Sequence, residues 1–217
     1  MKTLPHRPSR TVLAWLGLFG LISVLVVSGL TLPCDEALLR AVGAVRTPGL
    51  TELMLAFTLA GDGAIEVPMG LGIALLLYRL GHGDWAKRYL LAGVAGEVLY
   101  LILKASFHRP RPDIITRLGE AGWYSYPSGH TMMAPVIWTF GFLLLARAVE
   151  QRLAKSIFTA IALIAPVAIG TSRLYLGVHY PSDVLSALSI GIAWALWWWP
   201  RDSEASKLST SSAAAIK

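Results

Sequence analysis

Cysteine is almost absent from this chain, since Cys34 is the only one among 217 residues. A disulfide within the chain needs a second cysteine, and a zinc site built from cysteine needs at least two. The composition therefore excludes an internal disulfide and a cysteine-based zinc site, and it assigns no chemical role to Cys34.

Charged residues are also scarce. They make up 15% of the chain, whereas hydrophobic residues make up 55% and the mean hydropathy is +0.58. Soluble domains of this length are less apolar. The Lys and Arg residues lie almost wholly between long apolar runs or at their ends. This distribution is typical of a polytopic membrane protein.

Positive charge exceeds negative charge, and the formal net charge is +6. In a soluble protein such an excess could indicate nucleic-acid binding. Here the cations are spread over short loops, and the sequence has neither a basic stripe nor a recognition motif. We therefore expect no nucleic-acid partner.

The apolar runs predict an all-α membrane domain over residues 11–200 with six transmembrane helices. The first run, 11–32, is not followed by an Ala-x-Ala cleavage site, so we interpret it as a retained span rather than a signal peptide. Residues 33–62 have helical periodicity but are interrupted by charge and by a break at 47–49, which predicts short interfacial helices. The remaining spans are predicted at 63–80, 85–107, 130–149, 156–176 and 181–199.

Six spans place both termini on one side of the membrane. If that side is the cytoplasm, the larger share of the Lys and Arg residues lies in inner segments, as membrane insertion favours. We therefore predict a cytoplasmic basic amino terminus at 1–10. The Ser-, Ala- and Lys-rich segment 201–217 is predicted to be a disordered cytoplasmic tail.

Three short clusters of reactive residues interrupt the hydrocarbon between residues 104 and 183. They are Lys104 with Arg111-Pro112, then Pro127-Ser128-Gly129-His130, then Ser172-Arg173 with His179 and Asp183. Charged groups at membrane depth are costly unless they have a function. The predicted topology puts all three clusters at the outer ends of spans, so we expect them to form one site within 104–183.

The cations of these clusters suit a phosphate group. Arg111 and Arg173 can each hold phosphate oxygens in a bidentate manner, and Lys104 supplies a compact charge. Ser128 and Gly129 open the fourth predicted span, where unpaired backbone N–H groups can bind an anion.

Few carboxylates accompany these cations. A phosphatase built on magnesium or zinc needs several acidic residues near its site, whereas the candidates here besides Asp183 are Asp113 and Glu120. We therefore predict a reaction that uses no metal and no other cofactor.

Two histidines and one carboxylate could carry the chemistry. Asp183 follows His179 by four residues, in the first turn of a helix that begins at Pro181, so it could hold one ring nitrogen of the histidine. The other ring nitrogen would then be free to attack phosphorus and form a phosphohistidine. His130 is the remaining acid–base group, which could protonate the departing oxygen and then activate water.

The clusters have the form Lys104-x6-Arg111-Pro112, Pro127-Ser128-Gly129-His130 and Ser172-Arg173-x5-His179-x3-Asp183. This pattern resembles the tripartite signature of the type 2 phosphatidic acid phosphatase and haloperoxidase superfamily. The resemblance implies a magnesium-independent phosphatase with His179 as nucleophile, Asp183 as its orienting partner and His130 as general acid. It also implies which residues hold phosphate: Lys104, Arg111, Ser128, Gly129 and Arg173.

Among the members of this superfamily, the small bacterial membrane enzymes fit the predicted spans best. The resemblance then implies a substrate such as undecaprenyl diphosphate, phosphatidylglycerol phosphate or phosphatidic acid. We expect such a lipid to enter laterally from the bilayer, because its tail must remain in lipid while its headgroup meets the cations. It also implies an active site at the periplasmic face of the inner membrane. Two other functions stay open: a lipid phosphotransferase that uses the same intermediate, and a transporter of anionic lipids.

Four further charged residues lie near the clusters or in the neighbouring spans. Arg109 and Arg117 are expected to anchor the chain at the lipid headgroups rather than to contact phosphate. Glu97 shares a helical face with Lys104 and is expected to have a structural partner. Glu66 could be solvated or paired with a basic residue of the site.

Overall fold

The computed structural model describes residues 8–200, so the predicted tail at 201–217 and most of the predicted amino-terminal segment lie outside it. Within the described residues all regular structure is helical and no strand occurs, which confirms the all-α prediction. The helices are α1 (Arg10–Val27), α2 (Leu32–Ala44), α3 (Pro48–Ala60), α4 (Gly63–Arg79), α5 (Gly83–Ser106), α6 (Gly129–Ala148), α7 (Arg152–Tyr175) and α8 (Pro181–Trp197).

Polar caps set where several helices begin. The side chains of Ser9, Thr47 and Asp62 each accept a hydrogen bond from a first-turn backbone N–H, at 3.2, 3.3 and 2.8 Å. Such caps satisfy donors that have no partner inside the helix. The predicted interfacial region 33–62 accordingly forms two short helices, α2 and α3, separated at Thr47.

Helix length supports fewer spans than the sequence predicts. Four helices are long and apolar enough to cross a bilayer: α1, α5, α6 and α7. The pair α3 and α4, which is bent by 53°, would add a fifth span if the two helices together form one. The predicted second and sixth spans, α4 and α8, have 17 residues each. At 1.5 Å per residue this is about 26 Å, short of a hydrocarbon core of about 30 Å. The number of six is therefore not confirmed.

The central helix of the bundle is α6. It contacts α7 and α8 on one side and α4 and α5 on the other, while α1 packs along α8. Gly141 allows the close approach to α5, because a Cβ atom there would lie 2.9–3.0 Å from the side chain of Tyr89. Tyr89, Phe140 and Leu144 are fully or almost fully buried at this contact.

The outer faces of the peripheral helices are apolar. Large aliphatic side chains such as Val94, Leu153 and Val167 are 60–74% exposed. Exposed aliphatic surface on this scale would be unfavourable in water, whereas lipid tails cover it without cost. The bundle thus has the surface of an integral membrane protein.

The segment 107–128 between α5 and α6 has no regular structure and crosses the ends of the helices. Its two arms are joined by a hydrogen bond from the backbone N–H of Ser125 to the carbonyl of Arg109, at 2.8 Å. Tyr126 is fully buried, and its hydroxyl lies 2.7 Å from the hydroxyl of Ser23 on α1. The segment is therefore held against the bundle, which allows it to position functional side chains.

Candidate active site

The three reactive clusters meet at a cavity of about 260 Å³ where α5 ends and α6 begins. Six of the eight residues predicted to form the site line it: Lys104, Arg111, Gly129, His130, Arg173 and His179. The other two, Ser128 and Asp183, are fully buried. Folding thus brings together side chains that are up to 75 positions apart in the sequence (179 − 104).

Arg111 is held in place by backbone carbonyl groups. Its guanidinium donates hydrogen bonds to the carbonyls of Val178 at 2.7 Å, Gly122 at 2.6 Å and Trp123 at 3.2 Å. One of its terminal nitrogens also lies 3.1 Å from Nε2 of His179. A cation is therefore fixed next to the ring nitrogen that faces the cavity.

Lys104 supplies a second cation at the end of α5. It is 2% exposed, and Nζ donates to the carbonyls of Ser125 at 3.2 Å and Pro127 at 2.9 Å. These bonds use two of the three ammonium protons. The residue thus ties down the segment before α6 and can still direct a proton at a bound anion.

Arg173 supplies the third cation, from the last turn of α7. Its two terminal nitrogens donate to Oγ1 of Thr58 at 2.5 Å and, at 3.5 Å, to the carbonyl of Glu120. Its Nε–H is buried and has no partner among the described residues. A buried donor without an acceptor is unfavourable, and an anion in the cavity would supply that acceptor.

The start of α6 lies against the cavity, but Gly129 and the preceding Ser128 differ in their contacts. Gly129 lines the cavity, and a Cβ atom there would lie 2.7–2.9 Å from the ring end of Tyr100, so a larger residue does not fit unless that ring moves. Ser128 points elsewhere, because its Oγ pairs with Oγ1 of Thr131 at 2.9 Å. Contact of the Ser128 side chain with phosphate is therefore not supported, whereas its backbone still belongs to the helix start.

His179 and Asp183 are adjacent, as their spacing suggests. Nδ1 of the ring lies 3.5 Å from Oδ2 of Asp183. The same carboxylate oxygen accepts hydrogen bonds from the backbone N–H of Tyr180 at 2.9 Å and from the hydroxyl of Ser125 at 2.5 Å. The carboxylate is thereby fixed on the Nδ1 side of the ring, and Nε2 is left to face the cavity.

The ring of His179 is neutral near pH 7. Burial lowers its pKa to about 3, although the neighbouring Asp183 acts in the opposite direction. With the Nδ1 proton directed at Asp183, the tautomer inferred from these contacts has its lone pair on Nε2. A neutral imidazole in this orientation can act as a nucleophile.

The lowered pKa of His179 predicts a loss of stability in acid. Below the ordinary pKa of 6.5 the unfolded chain binds a proton at this ring, whereas the folded protein does not until about pH 3, so stability falls as pH falls through this window. Between about pH 7 and about pH 5, protonation of this ring in the unfolded chain lowers the free energy of unfolding by about 2 kcal/mol. We expect the thermal midpoint of the detergent-solubilised protein to fall less over this range in His179→Gln. An equal fall in both proteins would contradict the prediction.

Arg109 is part of the site rather than an anchor at the headgroups. Its side chain is 11% exposed, and its guanidinium donates to Oδ1 of Asp183 at 2.6 Å and to Oδ2 of Asp35 at 2.8 Å. Burial opposes its charge, but Asp183 and Asp35 outweigh this and raise the pKa of Arg109. Arg117 differs, since its side chain is 42% exposed and it donates to the carbonyl of Pro112.

Asp35, on α2, was not predicted from the sequence. It is 3% exposed and accepts hydrogen bonds from the backbone N–H and the hydroxyl of Ser182, at 2.9 and 2.6 Å. Together with Arg109 it ties α2 to the start of α8, directly behind Asp183. An acidic residue in the first turn of a helix gives no signal of a partner 74 residues away.

Comparison with known proteins gives consistent matches. The profile described as the PAP2 superfamily matches residues 85–206. Phosphatidylglycerophosphatase B of Bacillus subtilis is 32% identical over 161 residues, which are 73% of this chain and 78% of that protein. Undecaprenyl-diphosphatase BcrC of the same organism is 30% identical over 127 residues, 55% of this chain and 61% of that protein. The crystal structure of a transmembrane PAP2-type phosphatidylglycerolphosphate phosphatase from Bacillus subtilis has a TM-score of 0.82 at 25% identity and covers 92% of this chain and 98% of its own.

Proposed function

The chain belongs to the PAP2 superfamily, and we propose that the cavity beside His179 is where this lipid phosphatase removes phosphate from its substrate. One observation carries the proposal: the buried ring of His179 lines the same cavity as three cations, with its Nε2 at 3.1 Å from a terminal nitrogen of Arg111. The cations are Lys104, Arg111 and Arg173. Such an arrangement holds a phosphate dianion and presents a nucleophile to its phosphorus atom.

In the first half of the reaction, Nε2 of His179 attacks phosphorus and the bond from phosphorus to the leaving oxygen breaks. His130 donates a proton to that oxygen, so the dephosphorylated lipid leaves neutral at this position. The ring of His179 becomes a phosphorylated imidazolium, and Asp183 stabilises its positive charge through Nδ1–H. The three cations and the N–H groups at the start of α6 hold the phosphate oxygens.

In the second half, water attacks the phosphohistidine. His130, now neutral, accepts a proton from the water as its oxygen bonds to phosphorus, and the bond between nitrogen and phosphorus breaks. Inorganic phosphate leaves, His179 is neutral again, and His130 holds the proton that starts the next cycle.

The function can be tested by release of inorganic phosphate from the detergent-solubilised protein with EDTA present. Within residues 8–200 no group of three or more His, Cys, Asp or Glu residues is arranged to hold a metal ion, and fixed cations surround the cavity. We expect the rate with EDTA to equal the rate without it, within about twofold. A strict requirement for magnesium would contradict the proposed mechanism. A panel of phosphatidylglycerol phosphate and undecaprenyl diphosphate, which the names of the relatives suggest, together with phosphatidic acid would identify the lipid class.

We place the active site at the outer face of the bacterial inner membrane. The distribution of cations favours cytoplasmic termini, and the side-by-side packing of α1 with α8 and of α4 with α5 supports six spans despite the short α4 and α8. A lipid substrate enters laterally between helices, because its tail stays in the hydrocarbon while its phosphate meets the cations.

The exposed Cys34 provides a direct test of this orientation, since it is the only cysteine and precedes Asp35 of the site. We expect a membrane-impermeant maleimide to label the protein in intact spheroplasts, and the Cys34→Ser variant to remain unlabelled. Labelling in detergent verifies that the thiol reacts. Labelling in detergent but not in intact spheroplasts would put the site on the cytoplasmic side.

A further inference from the structure

A second cavity, of about 510 Å³, lies between α4 and α5. Its wall is mainly aliphatic, with Val67, Leu71, Leu90 and Val94 among its members. Its volume is within the range of small-molecule sites, and its position on the outer, lipid-facing side of the bundle suits an acyl or prenyl chain.

The apolar cavity and the active-site cavity are lined by neighbouring positions of α5 and α6. On α5, Tyr100 lines the active-site cavity and Glu97 lines the apolar one. On α6, His130 lines the active-site cavity and Met133 lines the apolar one. Residues three apart share a helical face and are separated by about 4.5 Å along the axis. A lipid with its phosphate beside His130 can therefore extend its tail into the apolar cavity.

Two carboxylates line the apolar cavity, close to its junction with the active site. Glu97 lies one turn before Tyr100, and Glu66 lies in the first turn of α4. Glu66 is 6% exposed, and its Oε1 has no hydrogen-bond partner among residues 8–200. Glu97 differs, because it is exposed rather than buried with the internal partner we expected, and no hydrogen bond or ion pair joins it to another side chain within residues 8–200.

The buried, unpartnered Oε1 of Glu66 is unfavourable unless a ligand supplies a hydrogen-bond partner. That partner must lie just beyond the phosphate, because the two acidic side chains follow the active site along the path of the tail. A hydroxyl or amine group on the lipid backbone meets this requirement.

We propose that Glu66 and Glu97 form a specificity subsite, which selects lipid phosphates with a hydroxyl or amine next to the cleaved phosphate. The inference rests on the proposed phosphatase function and adds the class of its substrate. Glycerol- or sphingoid-based monophosphates with a free hydroxyl or amine fit the subsite.

A matched pair of lipids tests the subsite. The first is 1-acyl lysophosphatidic acid, and the second is its 2-deoxy analogue, which lacks only the hydroxyl. We expect wild-type kcat/KM to be at least about tenfold higher for the hydroxyl lipid, because the deoxy lipid leaves the buried oxygen of Glu66 without a hydrogen-bond partner. In the double variant Glu66→Leu, Glu97→Leu we expect this ratio to approach one. Because the ratio is taken within each protein, a uniform loss of activity cancels.

Two further variants separate the possible outcomes. Leu90→Ala changes the wall of the same cavity but keeps both acidic residues, so we expect it to keep the wild-type ratio of kcat/KM for the two lipids. Glu66→Gln keeps a hydrogen-bonding oxygen at this position, so the preference for the hydroxyl should persist in part. A wild-type kcat/KM ratio near one would overturn the subsite, as would a ratio that is unchanged in the double variant. If the double variant does not fold, the wild-type ratio alone decides.

Failure of the wild-type protein to release phosphate from any lipid or from p-nitrophenyl phosphate would instead overturn the proposed function.

Discussion

Replacing His179 by Asn is expected to lower phosphate release by roughly 10³-fold or more, the scale on which loss of an enzymic nucleophile acts. Asn can still donate a hydrogen bond toward Asp183, but it offers no nitrogen that can attack phosphorus. The measurement is inorganic phosphate released by the detergent-solubilised variant. His108→Asn is the matched control, because His108 is exposed and does not line the cavity. If His179→Asn kept the activity of this control, the phosphohistidine mechanism would be wrong.

The intermediate itself can be trapped with His130→Ala. With p-nitrophenyl phosphate the leaving group needs no proton, so the first half of the reaction proceeds without His130. The second half lacks the group that activates water, and the phosphoenzyme should accumulate. We expect a burst of about one nitrophenolate per enzyme and a protein-bound phosphate that is stable to base and labile to acid. Absence of both signals in active preparations would exclude a covalent intermediate on histidine.

Replacing Arg109 by Met is expected to destabilise the protein by about 3–5 kcal/mol, because it leaves the buried carboxylates of Asp35 and Asp183 without a counter-charge. We also expect kcat to fall by at least about tenfold, since Asp183 then no longer fixes the ring of His179. The change in KM should be smaller, because the three cavity cations remain. The measurements are the thermal midpoint in detergent and steady-state kinetics.

The role of Arg109 can be separated from general damage by two further variants. Arg117→Met removes a partly exposed arginine from the same segment and should change the thermal midpoint little. Asp35→Asn added to Arg109→Met removes one of the two unpaired charges, so stability should recover in part while kcat stays low. Equal thermal midpoints for Arg109→Met and Arg117→Met would show that the ion pairs of Arg109 contribute nothing to the stability of the protein.

The sequence could predict that the residues of the candidate site lie together, because they have distinctive chemistry and lie at span ends. His179 and Asp183 are close in sequence, so a single helix start fixes their relation. Lys104 and Arg173 come from different helices, yet both lie in last turns that end at the same level of the bundle. A topology of alternating spans was therefore sufficient to predict that these residues meet.

The residues behind the cluster could not be predicted in the same way. The contacts of Asp35 and Arg109 depend on how α2 packs beneath α8, and no periodicity in the sequence encodes that packing. The sequence did offer one signal for Arg109, which is its two-residue spacing from Arg111. Alternate residues of an extended segment can lie on the same side, so Arg109 could have been expected near the site. Ser128 illustrates the converse: its motif position was clear, but its rotamer depends on the nearby hydroxyl of Thr131.

The contacts made by α1, α2 and α3 have a practical consequence for truncation. The profile of the superfamily begins at residue 85, but Ser23, Asp35 and Thr58 supply partners to Tyr126, Arg109 and Arg173. A fragment that starts at the matched region would expose two arginines and a tyrosine that the intact bundle satisfies. The smallest autonomous enzyme must therefore retain the first three helices, even though they contain none of the signature residues.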